Sequence, residues 1–251
     1  MKTLPKLVLS SVLATSVLPA AQAEVFWSDN SFSWLHGENH SDFYSDSAEN
    51  TVITLEHASG HNWGGLFMFM DRTEKNDTAD NTNTIYGEIS PDVSLSYLTG
   101  SELKFGPIND VYLSGTYEYG GGATGQDDNY QYGFGLGWSV PGFKYVKTRF
   151  LYSANESTEN DLMLSVVWGS VLPIDAVEIS FAGYIDWSTA ESDHESDFHF
   201  NPQLLLNVSP YLGMTKSKLE VGFEYSYWNN KYGSAFLADE SVWSIMAKYH
   251  L

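Results

Sequence analysis

Between Val177 and Ser188 apolar and polar side chains alternate almost without interruption. Val177, Ile179, Phe181, Ile185 and Trp187 share one parity, while Glu178, Ser180, Tyr184, Asp186 and Ser188 share the other. Successive side chains of an extended strand point to opposite faces, so the stretch predicts a strand with one apolar and one acidic face. The pattern recurs over 111–119, 197–208, 219–228 and 243–251, and in similar runs near 50–57, 83–97, 128–140, 143–154 and 160–170. Two further runs, 31–38 and 63–71, read as strands whose parity the pattern leaves open. No segment after residue 23 carries the periodicity of an amphipathic helix. The result is about twelve strands, many of about ten residues, which is the length a tilted strand needs to cross a bilayer.

The connectors between these strands supply an independent signal. Taken alternately, one set is short or marked by proline: "ASGHN", "LTGSELKFGPI", "PGFK", "VLPID" and "SPYLGMTKS". The other set ("NHSDFYSDSAE", "RTEKNDTADNTN", "GGGATGQDD", "NESTEND", "AESDHESD", "NNKYGSAFLADE") holds 17 acidic and 3 basic residues, against 2 acids and 3 lysines in the first. Short turns at one end and long polar loops at the other are the asymmetry of an outer-membrane barrel. A soluble sandwich has no reason to sort its connectors this way. The expected fold is therefore all-β, a monomeric transmembrane antiparallel β-barrel of about 12 strands, with both chain ends on the short-turn side. Its apolar parity faces lipid and its polar parity a wet lumen. Trp138, Trp168, Trp187, Tyr227 and Trp243 lie where interfacial aromatic girdles are expected.

The chain opens with Lys2 and Lys6, an apolar run from Leu7 to Ala20, and Ala21-Gln22-Ala23. This is the layout of a secretory signal peptide, expected to be cleaved after Ala23 and to leave a barrel domain over 24–251. Its apolar run falls short of the roughly 18 residues of a spanning helix. There is no cysteine, so no disulfide framework enters the picture. With 32 acidic against 12 basic residues the chain has a formal charge of −20, which argues against a nucleic-acid partner.

A barrel of this size has a narrow bore. The inward parity assigns to it Glu88, Asp92, Tyr112, Glu118, Lys147, Arg149, Glu178, Tyr184, Asp186, His199, Glu220 and Glu224. Aromatic faces mixed with hydrogen-bonding and charged groups suit a ligand with a flat ring and several hydroxyls. Opposite charges in such a bore also serve simply to brace its wall, and composition does not separate the two roles. Three glycines, Gly133, Gly135 and Gly137, share the inward parity of one strand, either to leave room or to relieve curvature.

Three other patterns invite chemical readings. His57 and Ser59 form a His-x-Ser pair like that of outer-membrane phospholipase, but they fall in a short connector with no orienting third group, so a glycine turn is the reading adopted. Asp193, His194, Glu195 and Asp197 lack metal-ligand spacing and read as a solvated loop. Gly120 to Gly125 has no helix behind it and reads as a loop and not a phosphate cradle. No catalytic residue, metal or cofactor is expected.

The segment "EISPDVSLSYLTGSELKFGPINDVYL" (Glu88 to Leu113) resembles the Tsx family of nucleoside-specific outer-membrane channels, which includes the OmpK-type proteins. Glu88, Ile89, Pro91, Ser94, Leu98, Thr99, Leu103 and Phe105-Gly106-Pro107 carry the resemblance. Weaker echoes are "LFMFMD" (Leu66 to Asp71) and "FAGYIDWS" (Phe181 to Ser188). The resemblance implies a 12-stranded monomer whose lumen binds nucleosides weakly and in series, as facilitated diffusion requires. It also implies that Phe67, Phe69 and Asp71 stack the ring and contact the ribose, with Asp186 as a second carboxylate. Two assignments of 63–71 remain, because Leu66, Met68 and Met70 face the bore if those rings face lipid. The chain departs from the family pattern in its shortness, its acidity and its terminal Leu251.

The expected protein thus sits in the outer membrane of a Gram-negative cell, surrounded by lipid and lipopolysaccharide. It passes nucleosides or similar small polar solutes. The lumen candidates are Phe67, Phe69, Asp71, Glu88, Tyr112, Lys147, Arg149, Glu178, Asp186, His199 and Glu224. The alternative is a surface receptor or adhesion barrel that works through its acidic loops, a class of protein that bacteriophages exploit.

Overall fold

The structure, a computed structural model, describes residues 23–42, 45–75, 83–122, 125–174, 177–215 and 218–251. Residues 1–22 of the expected signal peptide lie outside them, as do 123–124 of the glycine-rich connector. Twelve strands follow one another: β1 (Val25–Asp42), β2 (Ser45–His61), β3 (Gly64–Lys75), β4 (Thr84–Ser94), β5 (Ile108–Gly122), β6 (Gly125–Trp138), β7 (Tyr145–Ala154), β8 (Asp161–Ile174), β9 (Val177–Ser188), β10 (Phe198–Asn207), β11 (Lys218–Asn229) and β12 (Glu240–His250). Each pairs with its neighbours in sequence. The barrel closes where β1 meets β12 antiparallel, from Ser31 opposite His250 to Gly37 opposite Ser244. Closure removes the sheet edge that hydrocarbon cannot solvate, which is why a meander of such strands must end by joining its first to its last.

The distribution of side chains is inverted relative to a soluble domain. Ser33, Ser90, Asp92, Glu220 and Glu240 are buried, while Leu204, Phe223, Phe134 and Phe150 are half exposed on the outer wall. The apolar parity therefore forms the lipid-facing surface, and the polar parity fills the interior. The start of β1, the end of β12 and the connectors after β2, β4, β6, β8 and β10 lie at one rim, with the acidic connectors leaving the strands at the other.

Four details differ from the sequence reading. The strands run past the bilayer length: β1 and β2 reach Asp42 and Ser45, so most of the first acidic connector is strand. His57 and Ser59 lie within β2, because the turn is confined to Asn62 and Trp63. Leu95–Thr99 forms one helical turn, α1, where a strand was expected to run on. Trp168 is not part of a rim girdle. It lies mid-strand and only 8% exposed, flat on the wall against Phe181 and Phe200. The indole fits there because Gly183 faces it, and a Cβ on Gly183 would come within 2.8 Å of the ring.

The turn containing α1 explains the residues that carried the family resemblance. Ser94 caps α1 by accepting from Tyr97 N at 3.1 Å, and Gly100 ends it in the left-handed region at φ +66°. Asp110 then ties the turn to β5, taking hydrogen bonds from Ser94 Oγ at 2.5 Å and Ser96 Oγ at 2.6 Å. Phe105 and Ile108 exchange two backbone hydrogen bonds of 3.1 Å across Gly106-Pro107. Gly106 has φ +58°, which glycine adopts at no steric cost, and Pro107 supplies a fixed φ behind it.

Candidate functional site: the barrel lumen

β3 and β4 place the first group of candidates. Phe67 stands opposite Ser90, Phe69 opposite Glu88, and Asp71 opposite Tyr86, all on the parity that faces the bore. Of the two assignments of 63–71, the structure takes the one with the phenylalanines inside. The Phe67 and Phe69 ring centroids are 5.8 Å apart, and Phe69 lies 5.7 Å from Tyr86. The three rings make a continuous aromatic file flanked by two carboxylates. Thr54 Oγ1 donates to Asp71 at 2.6 Å, and the Tyr86 hydroxyl donates to Glu88 at 2.9 Å. Tyr86 was missed from sequence, although its parity with Glu88 on β4 could have found it.

The second group is a brace. Arg149 Nε and Nη2 donate to the two oxygens of Asp92 at 3.1 and 2.8 Å, and Lys147 Nζ reaches the same carboxylate at 2.9 Å. Ser114 adds a fourth donor at 2.7 Å. Lys147 and Arg149 leave β7 and cross β6 and β5 to reach β4. They can do so because their ladder partners on β6 are Gly137 and Gly135, which put nothing in the way. A Cβ on Gly135 would come within 2.6 Å of Ser114 Oγ. The inward glycines therefore make room for the brace. Tyr112 lies beneath it, with Lys147 Nζ 4.7 Å from its ring centroid.

Asp186 and His199 come together on one ladder row that continues from Arg149 through Ser165 to Trp228. His199 stacks on Trp228 with centroids 3.7 Å apart and meets Tyr184 edge-on at 5.0 Å. Glu224 accepts from Gln203 at 2.8 Å. Glu178 is set apart from these, at the rim of the chain ends, where Lys218 bridges it at 2.9 Å and Glu220 at 2.8 Å. His250 joins Glu220 and Asp29 in the same belt, and Lys248 pairs with Glu56 at 2.7 Å. At the opposite rim Glu240 gathers Lys231 at 2.5 Å, Ser41 N at 2.9 Å and Ser226 Oγ at 2.9 Å.

The lumen also contains an apolar patch that polar parity did not announce. Leu35, Leu205 and Met246, each 5% exposed or less, cluster on the inner wall with Val52. Leu205 and Met246 meet across Gly222, which carries no side chain between them.

Outside the bore, His57 Nε2 lies 2.9 Å from Ser59 Oγ, and Asn30 Oδ1 lies 2.9 Å from His57 Nδ1. The structure thus supplies the orienting group that the sequence lacked. The hydroxyl is also held by His61 Nε2 at 2.9 Å and is 4% exposed, so it is clasped between two imidazoles and has no face open to an ester.

The outer loops are pinned together in places. His194 is 9% exposed, with Nδ1 2.7 Å from Asp193 and Nε2 3.4 Å from Asp161. Burial pulls its pKa down, but the Asp193 hydrogen bond and the Asp161 charge outweigh this and hold it above the ordinary value. A raised histidine pKa stabilises the folded loop fully below the unfolded value of 6.5, and that contribution is lost as pH rises through the raised value. Hydrogen exchange of residues 189–197, corrected for intrinsic rates, should therefore be slower at pH 5.5 than at pH 9. Equal protection at both would show that the imidazolium does not hold the loop.

A sequence model described as "Nucleoside-specific channel-forming protein, Tsx" matches residues 27–248. The chain belongs to the Tsx family. It is 23% identical over 246 residues to an outer membrane protein OmpK of Vibrio parahaemolyticus, covering 89% of this chain and 90% of that one. A second OmpK, from V. parahaemolyticus serotype O3:K6, is 26% identical over 201 residues, 70% of this chain and 75% of the relative. Among solved structures the KdgM porin aligns with a TM-score of 0.48 at 10% identity, covering 87% of this chain and 98% of the porin. NanC porin aligns at 0.44 with 12% identity over 89% and 98%. This Tsx-family barrel is an outer-membrane channel protein.

Proposed function

We propose that this Tsx-family barrel carries nucleosides, or small polar solutes like them, passively through its lumen. The observation that carries the reading is the file of Phe67, Phe69 and Tyr86 bordered by Asp71 and Glu88. Stacked rings take the flat face of a base and carboxylates accept from ribose hydroxyls. Each contact is weak enough to release its ligand to the next. Lys147, Arg149 and Glu178 brace the wall. The lumen has no catalytic role, and the clasped Ser59 has none either. Liposomes loaded with the purified protein should take up labelled adenosine or thymidine faster than a sugar of similar size, and the entry should saturate. Equal, unsaturable leakage of both would sink the reading.

One observation favours a second role. Phe236, 97% exposed, projects from the connector between β11 and β12 beside the half-exposed Tyr232. An apolar ring held in water on an acidic rim suits docking by an outside partner such as a bacteriophage fibre. Phe236→Ala should abolish adsorption of such a phage and leave nucleoside entry unchanged.

A further inference from the structure

We propose that the lumen selects for positive charge, so that cationic relatives of its solutes outrun neutral ones. The inference rests on the channel reading above and names the charge class of what passes. Five cations of the bore and its rims are used up locally: Lys147, Arg149, Lys218, Lys231 and Lys248 each lie within 2.9 Å of a carboxylate. Asp71, Glu88, Glu118, Asp186 and Glu224 have no ion-pair partner among the described residues. Thr54 donates to Asp71, Tyr86 and Ser90 to Glu88, and Gln203 to Glu224, all of them neutral, while Asn129 and Gln131 serve Glu118 at 3.1 and 2.8 Å.

Three further features turn this imbalance into selectivity. Asp71, Glu88 and Glu118 stand on the adjacent strands β3, β4 and β5, with Glu88 directly opposite Glu118, and Asp186 on β9 and Glu224 on β11 face the passage from other parts of the wall. Asp186 Oδ1 is buried and has no hydrogen-bond partner among the described residues, which leaves an acceptor for a donor that enters the bore. The faces of Phe67, Phe69 and Tyr86 stand beside Asp71 and Glu88, and an aromatic face attracts a cation. Low-dielectric walls focus the field of such a ring along the axis, and rings of Asp and Glu select cations in channels generally. An ammonium or a protonated heterocycle meets both the carboxylates and the rings, whereas a phosphate meets carboxylates without a cation partner and cations that are already paired.

The test uses the full-length mature protein in planar bilayers and in liposomes. Under a tenfold KCl gradient the zero-current potential should have the sign of potassium permeation. Glu88→Gln/Glu118→Gln/Asp186→Asn should move it most of the way to zero. These changes remove repulsion and keep shape, and heat-modifiable gel mobility verifies that the barrel is folded. In liposomes at low salt, 5′-amino-5′-deoxyadenosine should enter about tenfold faster than adenosine, with the gap closing as salt rises. Equal potassium and chloride permeation, or an unchanged potential in the triple variant, would overturn the proposal. Saturable adenosine entry without an advantage for the amine overturns it too, and leaves the nucleoside reading intact. Cation selectivity without saturable nucleoside entry upholds it and removes that reading instead.

Discussion

Asp92→Asn should destabilise the barrel and shift its ion preference toward anions. Asp92 is 2% exposed and receives Arg149 through two hydrogen bonds, Lys147 through a third and Ser114 through a fourth. Removing one partner of a buried ion pair strands the other charge where water cannot replace it, at a cost of about 3–5 kcal/mol. Arg149 is itself buried and bears most of that penalty. Lys147 is a quarter exposed and recovers part of its hydration, so the lower end of the range is expected. Urea unfolding of the barrel in detergent micelles should show a clearly lower midpoint. In bilayers the two freed cations should add anion permeability. An unchanged midpoint would mean that the brace is ornamental, and that water already satisfies both cations.

The second large effect is expected at the aromatic file. Replacing both Phe67 and Phe69 by alanine should raise the half-saturating nucleoside concentration by ten- to a hundred-fold. Stacking of a base on an aromatic side chain is worth about 1–3 kcal/mol by alanine substitution, and each factor of ten corresponds to about 1.4 kcal/mol. The ion conductance should rise slightly, since two rings leave the bore. Phe134→Ala is the control, because Phe134 is exposed on the lipid face and touches no solute. If the double variant saturates at the wild-type concentration, the base is recognised elsewhere in the lumen. The row of Tyr184, His199 and Trp228 would then be the place to look.

The family relationship and the lumen geometry bear on different questions. Membership rests on residues 27–248 and carries the outer-membrane setting and the channel class. The charge pattern is read from the structure instead: in a chain of net charge −20, five cations pair with carboxylates of the wall and its rims, and five carboxylates of the bore have no ion-pair partner among the described residues.

How much of this was legible in the sequence follows from the period of a strand. Strict alternation over Val177–Ser188 fixes which side chains share a face, and closure of the sheet in lipid then fixes which face is wet. Strand number, the sorting of connectors and the inward set from Glu88 to Glu224 follow from that local rule. Alternation has no power where both parities are apolar or both are polar, which is why "GGLFMFMD" gave two answers. The structure decides between them through β4, whose Glu88 and Ser90 stand opposite Phe69 and Phe67 and hold them inward. Pairing across strands is likewise invisible in one dimension. Lys147 and Asp92 are 55 residues apart, and Lys248 and Glu56 are 192 apart. Whether an inward charge braces the wall or faces the solute depends on those meetings. The sequence by itself determined a closed, acidic, twelve-stranded membrane barrel, because period, length and connector charge are local properties. Only the tertiary structure decided which of its charges are paired, because pairing is set by register and by the glycines over which long side chains can reach.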